Sequence, residues 1–348
     1  MTTFWKKKQF WLAIVALALL AYCVKDVRWV HVVELAERLS VGYLVLSVAT
    51  SAGFVITKAL RWRLIVKQQV KFKAWHTCTL YSAGQILNIV MPALTGQLGR
   101  VFLFSRNTGL RKTFVFSTIV MEVLFDAISF LGMLLIISVG FAFPERYRSV
   151  GIVLASIIAV VVILLYLILQ FRDNIENFGH RLFREHRPGI YVGIKKFIRS
   201  FTKGIEMLKS SQHLAQTMAY SILNWTFHAL SVYFLLLSFG FDLPFVAAVA
   251  VMIVNTLALM VPITPGNAGT FEVAVSTALA AFSIPKGDAV LYAVALHLID
   301  LLPIAVLGAI FLHYEKVSLA EIRRQHMDDD VLDRLSEDGV LIEDEEKV

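Results

Sequence analysis

Apolar residues fall along this chain in long runs with few charges, and a run that is apolar on every face makes a helix surrounded by lipid. About 20 residues span a hydrocarbon core of roughly 30 Å. The pattern predicts spanning helices over about 9–25, 41–62, 113–141, 150–171, 214–240 and 288–313. Two further apolar stretches, 76–106 and 244–283, are interrupted by the same phrase. The first copy is Met91-Pro92-Ala93-Leu94-Thr95-Gly96-Gln97-Leu98-Gly99 and the second Val261-Pro262-Ile263-Thr264-Pro265-Gly266-Asn267-Ala268-Gly269. Each reads as an apolar residue, Pro, three residues, Gly, two residues, Gly. Proline removes a backbone donor and clashes with the preceding turn, and glycine favours open backbone, so Pro92, Pro262 and Pro265 mark breaks. The alternative is a full-length helix merely kinked by proline. Repetition of the glycine spacing favours breaks.

Composition places these runs in a membrane: 57% of the residues are hydrophobic, 17% are charged, and the mean hydropathy is +0.70. The net charge of +7 therefore reports orientation, and no nucleic-acid partner is expected. Lys6, Lys7 and Lys8 precede the first run, and Arg61, Arg63, Lys67, Lys71 and Lys73 follow the second, which puts both ends in the cytoplasm. If the stretch 76–106 dips into the membrane and returns, Arg106, Arg111, Lys112 and the basic region 172–213 are cytoplasmic as well. A single crossing would put the first three outside. The charges thus favour re-entrant hairpins, and each half reads helix, helix, hairpin, helix. With an odd number of crossings per half, the halves 9–141 and 150–313 enter with opposite orientation, an inverted-topology repeat whose hairpin tips meet near the midplane. The expected fold is an all-α integral membrane protein with about six transmembrane helices and two re-entrant hairpins. The polytopic domain covers 1–315, in the plasma (inner) membrane with both termini cytoplasmic.

Between the halves, Ile194, Phe197, Ile198, Phe201, Ile205 and Leu208 recur at helical spacing with lysines and arginine on other faces. This segment is either a basic amphipathic helix on the cytoplasmic leaflet or a helix that covers the bundle. Residues 316–348 form an acidic tail too polar to fold, with Asp328-Asp329-Asp330 and Glu343-Asp344-Glu345-Glu346. The N-terminus has the basic start and apolar run of a signal peptide, but Tyr22 before Cys23 is a poor cleavage residue, so it is read as a retained helix. Trp5, Trp11, Trp29 and Trp62 fit an interfacial aromatic belt, and Lys58 snorkels to the headgroups.

An ionisable side chain inside a membrane costs several kcal/mol unless it is paired or wet, so such residues are functional candidates. Glu122 and Asp126 are spaced i, i+4 in one helix, and His297 and Asp300 i, i+3 in another, so each pair shares a face. A helix beginning near Gly96 to Gly99 offers unpaired amides and a positive dipole end to a phosphate, and Arg100 adds a charged planar fork. At the matching place beyond Gly266 and Gly269 stands Glu272. It either pairs with Arg100, faces a cationic headgroup or carries a proton. These residues also fit a second reading, as buried ion pairs that fix the packing of the halves; His228 reads as a packing residue. No Walker loop, HExxH zinc spacing or Gly-x-Ser-x-Gly elbow occurs, so no enzyme, metal or cofactor is expected.

The run from Asn88 to Gly109, followed by Glu122-Val123-Leu124-Phe125-Asp126, resembles the flippase-like transmembrane region of lysylphosphatidylglycerol synthases. Pro262 through Glu272 and Leu302-Pro303 are similar to the second half of that region. The resemblance spans about 10–315. It implies a lipid-translocating domain acting on an anionic or aminoacylated phospholipid or a lipid-linked sugar. It does not extend to that family's C-terminal aminoacyl-transferase domain, so lipid synthesis is not expected. Arg100 stands where a Glu is frequent in the family and His297 where a basic residue such as Arg is common, which leaves headgroup choice open. The leading expectation is a flippase-like transporter. Its rivals are a non-transporting subunit that presents a lipid-linked substrate to a separate synthase or glycosyltransferase, and an intramembrane enzyme using Glu122, Asp126 and His297.

Overall fold

The computed structural model describes residues 37–67, 69–90, 94–140, 211–259 and 264–314, with three isolated helical positions at 156, 160 and 163. The helices expected at 9–25 and 150–171 (those three positions apart), most of the linker, the acidic tail, Pro92 and Pro262 lie outside the described residues. Among the described residues there are eight α-helices and no strand: α1 (Val41–Val66), α2 (Ala74–Val90), α3 (Leu94–Thr108), α4 (Lys112–Gly140), α5 (Ser211–Ser238), α6 (Phe245–Leu259), α7 (Thr270–Ala280) and α8 (Lys286–Tyr314). A 3-10 turn at Pro265–Asn267 precedes α7. α1, α4, α5 and α8 are long and apolar enough to cross a membrane. They fall on four of the runs read from the sequence. The two interrupted stretches are each a pair of shorter helices, α2 with α3 and α6 with α7.

Gly96 shows how the first interruption is built. In an unbroken helix, residues 88 and 96 stand about 12 Å apart along the axis. Here a Cβ on Gly96 would lie 2.6 Å from the Asn88 Cα, so the start of α3 folds back onto the end of α2. The helix resumes at Leu94, earlier than the phrase suggests, and places Gly96 and Gly99 in its first two turns and Arg100 in the second. At the other break both glycines hold the left-handed backbone, Gly266 with φ 60° and Gly269 with φ 83°. That turn packs on α2, where a side chain at position 266 would stand 3.3 Å from Ile89.

Residues of 37–63, 72–100 and 219–314 gather into one compact unit, and those of 64–71, 101–140 and 211–218 belong to a second. Within the first, α2 packs along α8, and α7 packs on α6 and α8. The α2–α8 approach needs small residues: a side chain at Gly308 would run into Ile86 and come within 3.1 Å of the Ala83 nitrogen. α1 and α5 run antiparallel and are joined by short hydroxyls. The Ser47 hydroxyl donates to the Ser231 carbonyl at 2.8 Å and Ser231 returns the bond to the Ser47 carbonyl at 3.0 Å. One heptad away, the Ser238 hydroxyl donates to the Ser40 carbonyl at 3.0 Å. Pro303 lies inside α8 and leaves the Ile299 carbonyl without its helical donor. Ser51 of α1 supplies one at 3.0 Å.

Two expectations about α1 are corrected. Arg61 and Arg63 do not follow the helix but belong to its last two turns, and Arg61 is fully buried, with Nη1 donating to the Ser221 hydroxyl at 2.9 Å. Its charge is held by a polar partner on α5 and contributes nothing to the basic loop used for orientation. Trp62, assigned to an interfacial belt, is likewise fully buried. The helix extends to Val66, one turn beyond the apolar run, and carries both residues into the packed interior.

Candidate functional site

The second break assembles a cluster from its own backbone. The Thr264 hydroxyl donates to the Ala268 carbonyl at 2.8 Å, and the Asn267 amide donates to the Thr264 carbonyl at 3.0 Å, which closes the turn around Gly266. Gly269 caps α7. Three residues on, Glu272 folds back so that Oε2 accepts the Gly269 amide at 2.6 Å, the carboxylate half of a capping box. An acid thus occupies the positive end of α7, where its charge is favoured.

His297 of α8 completes the cluster. Its Nδ1 is 2.7 Å from Glu272 Oε1 and its Nε2 is 3.0 Å from the Gly266 carbonyl. The imidazole stacks on Phe271, with ring centroids 4.3 Å apart and planes at 11°. The pair is well removed from solvent, with side-chain exposures of 5% for Glu272 and 12% for His297. The Gly266 carbonyl and the Glu272 carboxylate are both acceptors, so an imidazole proton on either ring nitrogen finds a partner.

One turn along α8, Asp300 Oδ2 stands 3.5 Å from His228 Nε2 of α5. That is an ion-pair distance, longer than a good hydrogen bond. The His228 ring stacks on Phe54 of α1 at 4.6 Å, yet neither ring nitrogen has a hydrogen-bond partner, nor does Asp300 Oδ1. On the first broken stretch, Arg100 is buried with its guanidinium 4.6 Å over the Tyr81 ring. Glu122, buried, and Asp126, half-buried, share one face of α4 in the other unit.

Of the residues singled out in the sequence, the structure therefore joins Gly266, Gly269, Glu272 and His297 directly and sets Asp300 one turn away. The sequence offers Glu272 a pairing with Arg100, a cationic headgroup or a proton to carry; the contact found here is with His297, which is not among them. Phe271 and His228 were not taken as site residues. For His228 a signal existed: Ser221, Asn224, His228, Ser231, Leu235 and Ser238 recur at alternating spacings of three and four, and all are buried.

The transmembrane region of lysylphosphatidylglycerol synthase, as a protein family, matches residues 9–308. Two relatives are UPF0104 membrane proteins from archaea. One, of Methanocaldococcus jannaschii, is 23% identical over 311 residues, covering 84% of this chain and 90% of the relative. The other, of Pyrococcus horikoshii, is 22% identical over 304 residues, covering 81% and 90%. A second Methanocaldococcus jannaschii protein of the same designation is 25% identical over 232 residues, 65% of this chain and 93% of its own. No solved structure gives a significant match. With long apolar helices, two broken stretches and a family match across most of its length, this membrane protein belongs to the family of the lysylphosphatidylglycerol synthase transmembrane region.

Proposed function

We propose that this protein is a flippase-like transporter that moves a phospholipid or lipid-linked headgroup between leaflets, without itself performing synthesis. The observation that carries the reading is the buried Glu272–His297 pair, locked onto broken backbone at Gly266 and Gly269 amid apolar helices. Ionisable pairs at membrane depth are costly and mark substrate or proton pathways, and non-helical backbone there lines a cavity or lies buried in protein. The family name adds support, since it refers to the membrane part of a lysylphosphatidylglycerol synthase. In this reading α2–α3 and α6–α7 are re-entrant hairpins that enter from opposite faces in an inverted repeat, and both termini are cytoplasmic in the plasma membrane. The first amides of α3, with Gly96, Gly99 and Arg100, hold a lipid phosphate. Glu272, His297 and Asp300 set headgroup choice, and the acyl chains stay in the bilayer.

The test is movement of a tail-labelled fluorescent phosphatidylglycerol in phosphatidylethanolamine–phosphatidylglycerol vesicles, followed by quenching of the outer-leaflet label. Arg100→Gln and Glu272→Gln are expected to abolish movement while leaving the size-exclusion profile unchanged. Wild-type rates in both variants would overturn the site assignment. A wild-type protein that keeps bound lipid in native mass spectrometry but never moves it would favour a subunit that presents lipid to a separate synthase or transferase.

A further inference from the structure

We infer that the Glu272–His297 and Asp300–His228 pairs form one proton-exchanging array along α8, and that each lipid moved is accompanied by a proton passing through it. The inference rests on the transporter reading and names its driving ion. In the first pair both nitrogens of His297 stand within hydrogen-bond distance of acceptors, so a proton can be held on either side of the ring. The second pair is built differently. His228 Nε2 stands 3.5 Å from Asp300 Oδ2 without forming a hydrogen bond, and neither His228 Nδ1 nor Asp300 Oδ1 has a hydrogen-bond partner, so proton transfer at the histidine breaks no existing bond. A pair serving packing alone would be expected to satisfy those atoms, since a buried polar group left without a partner costs about 1–3 kcal/mol. His297 and Asp300 share one face of α8, a spacing that sets their Cβ atoms about 5–6 Å apart.

The transfer balances at each step. The proton between His297 and Glu272 passes to the Asp300 carboxylate, leaving a carboxylate and a neutral imidazole behind and forming a carboxylic acid. Asp300 then gives it to His228 Nε2, which becomes an imidazolium while the carboxylate is restored. Alternating acids and histidines at membrane depth are the usual parts of such relays.

Few other titratable groups surround the array. α6 carries none and α7 carries only Glu272. α2 brings His76, Cys78 and Tyr81; His76 stacks on Phe311, almost four turns from His297, and Tyr81 lies under Arg100. On α8, Tyr292 donates to the Val232 carbonyl at 2.7 Å, while Asp288 and His313 sit at the two ends. From α1, Lys58 stands 4.8 Å from the centre of the Phe54 ring on which His228 stacks, and the buried Arg61 donates to Ser221, two turns before His228 on α5.

Lumenal pH and lipid movement are to be read in the same phosphatidylethanolamine–phosphatidylglycerol vesicles, using trapped pyranine and tail-labelled phosphatidylglycerol under an imposed pH gradient. A lumenal pH change in step with lipid movement is expected. His228→Gln is expected to lower the proton signal and lipid movement together, roughly a hundredfold, as loss of a positioned proton-transfer group does. Asp300→Asn should abolish the proton signal and Asp300→Glu restore part of it. Lipid movement with no pH change, or an unaltered proton signal in both His228→Gln and Asp300→Asn, would overturn the array and leave the transporter reading standing. Proton entry without lipid movement in the wild type would overturn the transporter reading and the coupling with it. Should the variants misfold, infrared difference spectra of the wild type decide: a carboxylic C=O band that grows on acidification is required, and its absence overturns the inference.

Discussion

The two broken stretches carry the same Pro and Gly phrase and use it differently. Around the first, glycine serves proximity: Gly96 lies inside a helix and lets α3 fold against Asn88. Around the second, glycine serves conformation: Gly266 and Gly269 adopt positive φ, and the turn they make presents a carbonyl and an amide to His297 and Glu272. One phrase therefore makes a tight reversal in one place and a polar turn that engages a histidine and an acid in the other. A sequence repeat need not be a functional repeat.

The largest expected effect separates the two directly. Glu272→Leu strands a buried histidine, and should cost about 3–5 kcal/mol in thermal unfolding of the detergent-solubilised protein. Combining it with His297→Leu should recover most of that loss, because an apolar pair of similar size needs no charge partner. A double variant no more stable than Glu272→Leu would show that the Gly266 carbonyl, rather than the acid, holds His297 in place.

Smaller shifts probe the glycines. Gly96→Ala should cost about 1–3 kcal/mol through overpacking. Asn88→Ala should not rescue it, since the nearest contact is the Asn88 Cα itself. Gly266→Ala should cost about 1–2 kcal/mol through its left-handed backbone, and Gly266→Asn less, because asparagine tolerates positive φ, as Asn267 does at 57°. Equal losses for Ala and Asn at position 266 would make that glycine a packing residue like Gly96 and erase the contrast.

The smallest effect concerns a proline outside both phrases. Ser51→Ala removes one interhelical hydrogen bond, worth about 0.6 kcal/mol between membrane helices. Its cost should vanish in a Pro303→Ala background, where the Ile299 carbonyl regains a helical donor. An undiminished cost would place the role of Ser51 elsewhere.

Much of the fold was legible because the membrane's demand on length and hydropathy is severe: four described helices fall on predicted runs, and both broken stretches are those that carry the Pro and Gly phrase, although at the first the glycines lie inside α3. The candidate site was legible by residue type and only partly by partner. Glu272 and His297 lie 25 residues apart on consecutive helices, but no fixed spacing within one helix links them, so the sequence does not single out α8 over Arg100 on α3. Arg61 and Trp62 misled because a basic or aromatic residue ending an apolar run looks interfacial, whereas α1 continues for another turn. The serine contacts of α1 with α5 were unreadable for a different reason. A serine in an apolar helix satisfies itself on its own backbone as readily as on a neighbour's.

Ser51 also has a mechanical meaning. Its hydroxyl grips the carbonyl that Pro303 leaves uncovered within α8, and hydrocarbon offers no water to take over if that grip is lost. A twist of α1 that withdrew Ser51 would bare the backbone at the level of Pro303, so the two helices are constrained to tilt together. α1 acts as a splint on the proline joint of α8, and the joint lies one turn from Asp300.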